Sequence, residues 1–73
     1  MTPVKLSEVK VGDVIWDQQY TDEWQSCFKV AKIEDGKVWM KYIDGERGYT
    51  EDSEGFTVFS LDSNENFYKP ENQ

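Results

Sequence analysis

Three adjacent carboxylate pairs, Asp22-Glu23, Glu34-Asp35 and Glu51-Asp52, are the residues best suited by type and spacing to do chemistry. Neighbouring acids can relay a proton or hold a divalent cation through oxygen ligands. Each pair sits in a polar stretch, where solvated loop charges are the expected reading. The oxygen-rich run from Asp44 to Glu54 lacks the 1-3-5-12 ligand spacing of an EF-hand loop. There is no histidine, so the commonest general base and the usual partner of a nucleophilic thiol are both missing. Cys27 is the only cysteine and lies in an apolar run, which fits a buried structural thiol. No glycine-rich phosphate loop of the Walker or dinucleotide type is present. The expectation is a non-enzymatic protein with no catalytic residues, no metal site and no cofactor.

The elements that must position these groups belong to a chain of 73 residues, enough for one hydrophobic core. One cysteine cannot form an intrachain disulfide, and without histidine a structural zinc site lacks its usual ligands. Stability must come from packing, for which three Trp, four Tyr and four Phe supply large apolar area. The lone thiol and the absence of a disulfide framework favour a reducing compartment. The opening residues lack a signal-peptide-like apolar stretch, and apolar runs reach only three residues, as in Val14-Ile15-Trp16. A cytoplasmic protein without a membrane segment is expected.

Charge divides the chain. Residues 1–43 carry seven acids and six bases, whereas residues 44–73 carry eight acids and two bases. The net charge of −7 therefore arises almost wholly after Ile43. A field of that sign repels phosphate and makes nucleic acid an unfavourable partner.

β-branched and aromatic residues occur in short runs separated by Gly, Asp and Glu, the pattern of strands and turns. Leu6-Ser7-Glu8-Val9 reads as a turn or single helical loop that packs Leu6 and Val9 as a lid. Lys10 to Trp16 reads as a strand with a bend at Gly12-Asp13. Asp17 to Gln25 reads as a long polar loop. Cys27–Ile33 and Val38–Ile43 flank Asp35-Gly36, a strong hairpin signal. On the second of these strands Val38, Met40 and Tyr42 share one face, with Trp39, Lys41 and Ile43 on the other. On the first, the apolar phase changes between Val30 and Ala31, which predicts a bulge or a strand buried on both sides. Tyr49-Thr50 could begin a fourth strand, Phe56 to Leu61 makes a further one, and Phe67-Tyr68 a short last one. Residues 1–5 and 70–73 are expected to fray. Phe28, Tyr42, Phe56 and one Trp are expected in the core, with Trp24 and Trp39 more exposed.

The segment Leu6-Ser7-Glu8-Val9-Lys10-Val11-Gly12-Asp13-Val14-Ile15-Trp16 resembles the turn, Gly-Asp and apolar strand that open SH3-like small barrels, which include the KOW and Tudor-type domains. Phe28-Lys29-Val30-Ala31-Lys32-Ile33, followed by Asp35-Gly36 and Val38, is similar to their next hairpin. The likeness covers about residues 6–61. It implies an all-β, five-stranded SH3-like barrel with a long first loop. Many unrelated binding roles share that architecture, so it implies no single function.

Three binding surfaces follow as expectations. The acids Asp44, Glu46, Glu51, Asp52 and Glu54 form a sector suited to a basic protein surface. Such a sector can imitate a phosphate track and block a nucleic-acid groove, as small acidic inhibitors encoded by phages or other mobile elements do. The resemblance to SH3-like barrels implies a second surface, an aromatic groove of Tyr20, Trp24, Trp39 and Tyr49 for a basic or proline-rich peptide. The third is the hairpin face, where Lys32 and Lys41 beside aromatics form a small basic strip for single-stranded nucleic acid.

Overall fold

The computed structural model describes residues 1–18 and 25–71. Asp35 and Gly36 take φ values of 51° and 73°. Two consecutive left-handed residues are what a two-residue type I′ hairpin turn requires, and Asp-Gly tolerates that conformation well. The turn joins β3 (Gln25–Glu34) to β4 (Lys37–Gly45), the longest strands of the protein. Their register carries the bulge implied by the phase change. Val30 pairs with Met40 but Lys32 pairs with Trp39, so Ala31 is the extra residue. A second irregularity leaves Ile43 unmatched on β4, since Cys27 pairs with Asp44 and Phe28 with Tyr42. Bulges increase local twist, and two of them coil the hairpin strongly.

The remaining strands are β1 (Thr2–Val4), β2 (Val14–Gln18), β5 (Thr57–Ser60) and β6 (Phe67–Lys69). A short 3-10 turn over Leu6–Glu8 buries Leu6 and, just after it, Val9, as the lid reading requires. The strand expected from Lys10 begins only at Val14. Lys10 to Asp13 instead make a turn in which Asp13 N–H donates to the Lys10 carbonyl and Gly12 adopts φ 95°. That is the type II arrangement, which favours glycine at its third position. Tyr49-Thr50 does not form a strand; Tyr49 is drawn inward by side-chain contacts given below.

The fold is all-β, a single antiparallel sheet in the order β1-β6-β2-β3-β4-β5. Among the described residues it has six strands, not the five expected, because Thr2–Val4 is not frayed but pairs with Lys69, Tyr68 and Phe67. Nor does it close into a hydrogen-bonded barrel, since β1 and β5 are its two edges. The sheet nevertheless coils far round its core. In a flat sheet β5 and β6 would lie about 19 Å apart, four strand spacings of nearly 4.8 Å. Instead the rings of Phe59 on β5 and Phe67 on β6 meet edge to face at 5.2 Å between centroids. The gap between these strands is thus bridged by aromatic side chains and not by backbone hydrogen bonds.

Inside the coil, Leu6, Val9, Ile15, Phe28, Val30, Val38, Met40, Phe59 and Phe67 form the core. Phe28 is fully buried, as expected, and Tyr42 packs against the cluster half-buried. Two expectations need correction. Among the described residues no tryptophan enters the core cluster, Trp16 and Trp39 being half-buried. Phe56 also lies outside it, because the strand begins one residue later and its inward positions are Thr57 and Phe59.

Candidate functional site

The long connection between β4 and β5, residues 46–56, carries most of the expected acidic sector and is tied down along its length. Ser26 on β3 donates its hydroxyl to the Glu46 carbonyl. The Tyr42 hydroxyl accepts from the Tyr49 N–H at 2.7 Å and lies 3.3 Å from the Tyr49 carbonyl, to which it donates. Thr57 donates to the Thr50 carbonyl at 3.2 Å. Within the loop, Asp52 Oδ1 accepts from the N–H groups of Glu54 and Phe56, each at 2.9 Å. Gly55 completes this tight turn with φ 84°. Burial pushes the Tyr42 hydroxyl above its usual pKa, and its hydrogen bond with Tyr49 partly offsets that rise.

All five acids of the sector are exposed, and all five belong to this loop or to the end of β4 that leads into it. Their roles differ. Glu51 pairs with Arg47, whose guanidinium also stands 5.0 Å from the Tyr42 ring centroid. Asp52 holds the turn together, and Asp44 accepts from the Gly45 N–H at 2.8 Å. Glu46 and Glu54 present their carboxylates to solvent. Arg47 is the sole cation between Asp44 and Phe56, so the loop surface is strongly negative.

Sequence reading missed the acids that meet the loop from elsewhere in the chain. The Tyr49 hydroxyl donates to the carboxylate of Asp17 on β2 and lies 3.0 Å from that of Glu65. Asp17 is fully buried. These residues are 32 and 16 positions from Tyr49, and no local pattern marks the meeting.

The aromatic groove is divided. Tyr20 and Trp24 lie outside the described residues. Tyr49 faces inward, its ring 5.0 Å from Phe59 and 6.0 Å from Phe28. Trp39 points the other way, paired on the outer face with Lys32 and Val58. Trp39 and Tyr49 therefore stand on opposite faces of the sheet and do not line one groove.

That outer face carries the basic strip, with Lys29, Lys32 and Lys41 all exposed. Lys29 lies directly opposite Lys41 in the β3–β4 ladder. The Lys32 ammonium sits 4.5 Å above the Trp39 ring, and Lys41 sits 4.7 Å above Phe56. Each is a cation–π contact that places charge over the aromatic face a stacking base would need. Lys32 also pairs with Glu34 at 2.9 Å, which reduces its field.

Cys27 is buried, and desolvation together with the nearby Asp44 charge pushes its thiol up to about 11. A thiol so raised is a poor nucleophile at neutral pH. Among the described residues no three His, Cys, Asp or Glu side chains gather to hold a metal ion. Among them, too, no helix is long and apolar enough to cross a membrane. Comparison with protein-family models, with curated proteins and with solved structures finds no match for this chain.

Proposed function

We propose that this protein is a non-enzymatic interaction module, built on an SH3-like coiled sheet, whose acidic loop docks on a basic surface of a protein partner. The observation that carries the reading is the anchoring of residues 46–56. Ser26, Tyr42 and Thr57 fix the loop to the sheet from outside, and Asp52 fixes it from within. A loop ordered before binding loses less conformational entropy on docking than a free acidic tail would. The backbone positions that carry its carboxylates are thus held in place, which suits a patterned basic surface such as the phosphate-binding groove of a nucleic-acid enzyme. Occupying that groove would inhibit the enzyme, a role matching the small acidic inhibitors of phages and mobile elements. A cytoplasmic setting fits the single reduced thiol.

Opposite charge steers the encounter, so association is fast and weakens with salt. The test uses the intact chain as bait in the cell that makes it. A partner retained by the wild type and released by about 0.5 M salt is expected to be lost with Glu46→Lys, Glu51→Lys and Glu54→Lys combined. Asp52 is left unaltered because it holds the loop. Retention of the same partner by the triple variant overturns the reading. The outward lysines favour a second reading, single-stranded nucleic acid, but Lys32 and Lys41 already cover the rings that would stack. Salt-sensitive binding of a short single strand, lost with Lys29→Glu and Lys41→Glu, would establish it instead.

A further inference from the structure

The sheet has two edges, and they are not alike. At one edge, β1 is only three residues long and carries Pro3, which has no N–H to offer. Short strands and edge prolines are common protections against unwanted pairing. At the other edge, β5 is Thr57-Val58-Phe59-Ser60, uncharged, free of proline and rich in strand-favouring residues.

Register decides which of its backbone groups face outward. Leu61 N–H donates to the Gly36 carbonyl, continuing the ladder in which Phe59 pairs with Val38 and Thr57 with Met40. Hydrogen-bonded pairs alternate with non-bonded pairs in an antiparallel ladder. Thr57, Phe59 and Leu61 therefore direct their backbone groups toward β4. Val58 directs both of its groups away from β4, toward the open edge, and Ser60 its N–H, while the Ser60 carbonyl accepts from the Ser63 N–H at 3.0 Å. Beside that edge runs a cleft of about 280 Å³, with Thr50, Glu51 and Asp52 on one side and β5 on the other. Val58 is 39% exposed, with its side chain on the outer face.

We infer that the β5 edge receives an extended segment of a basic partner as a seventh strand. The inference deepens the acidic-loop reading and rests on it for the sign of the partner's charge. In such a complex the residue opposite Val58 exchanges both backbone hydrogen bonds with it, and its side chain joins Val58 on the outer face. An apolar residue suits that position. The flanking residues point inward, where a lysine or arginine reaches Glu51 and Asp52. A second copy of this chain is the poorer occupant, because antiparallel pairing of two β5 edges would bring both sets of Glu51, Asp52 and Glu54 together. Like charges brought close oppose association.

The probe is the synthetic peptide acetyl-Lys-Val-Lys-Val-Lys-Val-Lys-amide, which puts lysine on one face of a strand and valine on the other. Amide hydrogen exchange of the full chain is expected to slow at Val58 and Ser60 when the peptide is added. N-methylation of the valines is expected to weaken binding by about tenfold or more, while N-methylation of the inner lysines leaves it nearly unchanged. Val58→Pro removes an edge N–H without touching the β4 ladder and is expected to abolish binding. If that variant fails to fold, the N-methylated peptides decide the matter with the wild type. Salt-sensitive binding lost with Glu51→Lys yet indifferent to valine N-methylation overturns strand addition and leaves the acidic reading standing. Binding lost on valine N-methylation but unmoved by Glu51→Lys overturns the basic occupant. A wild-type dimer in sedimentation, made monomeric by Val58→Pro, assigns the edge to a second copy and also overturns the proposal. So does the absence of any protection at Val58 and Ser60 with about millimolar peptide.

Discussion

The Tyr49 hydroxyl donates to the carboxylate of Asp17 and thereby joins the acidic loop to a fully buried acid on β2, 32 residues earlier. The same ring packs edge to face on Phe59, so Tyr49 closes the side of the coil that backbone pairing leaves open. One residue thus serves both the core and the presentation of the loop.

Tyr49→Phe keeps the ring and deletes the donor. Removing a buried hydrogen bond and leaving its partner unsatisfied costs about 1–3 kcal/mol. The urea midpoint is expected to fall accordingly, and amides of residues 46–56 to exchange faster. Tyr49→Ala also loses the packing and should cost about 3–5 kcal/mol, which can unfold so small a domain. An unchanged midpoint for Tyr49→Phe would show that the loop is held by its other anchors alone.

Local chemistry was largely legible in the sequence and long-range closure was not. Asp35-Gly36 announced the hairpin because only a few residues accept two left-handed conformations in succession. The bulge at Ala31 was visible as a slip in apolar phase. Leu6 and Val9 marked the lid by spacing. By contrast, Thr2–Val4 has no alternation that foretells its pairing with Phe67–Lys69, which depends on where β6 arrives. Phe56 looked like a core residue because a two-residue period cannot say where a strand starts. The acidic sector was legible as composition, but its anchoring rests on Tyr42, Tyr49 and Ser26, whose partners lie 7 to 32 residues away.

Asp13 couples stability to pH. The Lys10 N–H donates to its carboxylate at 2.8 Å, and Lys69 stands 3.3 Å away. The backbone hydrogen bond from Lys10, aided by Lys69, holds its pKa below the ordinary 3.8 despite some desolvation. The unfolded chain then binds more protons than the folded one as pH falls past 3.8, so stability drops there. The contribution is complete above about pH 5. Asp13→Asn is expected to cost about 1 kcal/mol at neutral pH and to flatten the acid limb of stability against pH. An acid limb as steep in the variant as in the wild type would remove Asp13 from the account.

Gly36→Ala tests the hairpin turn. A Cβ at this position would meet nothing within 4 Å, so any cost is conformational and not steric. At φ 73° alanine is expected to destabilise by about 1 kcal/mol, and asparagine, which tolerates the left-handed region, by less. Urea denaturation of the three proteins should rank them glycine, asparagine, alanine.

Cys27 reports on opening of the sheet. The residue is 2% exposed and its thiol is raised to about 11, against an ordinary 9.0. At pH 8 the folded thiolate is then roughly a hundredfold scarcer than that of a free thiol, before access is considered. Labelling by a thiol reagent must wait for β2, β3 and β4 to separate, since Cys27 pairs with Trp16 on one side and Asp44 on the other. The labelling rate is expected to rise with urea in parallel with unfolding, not with solvent-exposed fluctuations. The raised pKa has a second consequence at alkaline pH. Between about 9 and 11 the unfolded chain has released the thiol proton while the folded chain retains it, so stability declines as pH rises through that window. The raised Tyr42 hydroxyl acts in the same direction from about pH 10 upward. Cys27→Ala is therefore expected to leave stability at pH 11 closer to its neutral value. Fast labelling of the folded chain at neutral pH would instead place Cys27 at an accessible edge and break the link between its pKa and burial.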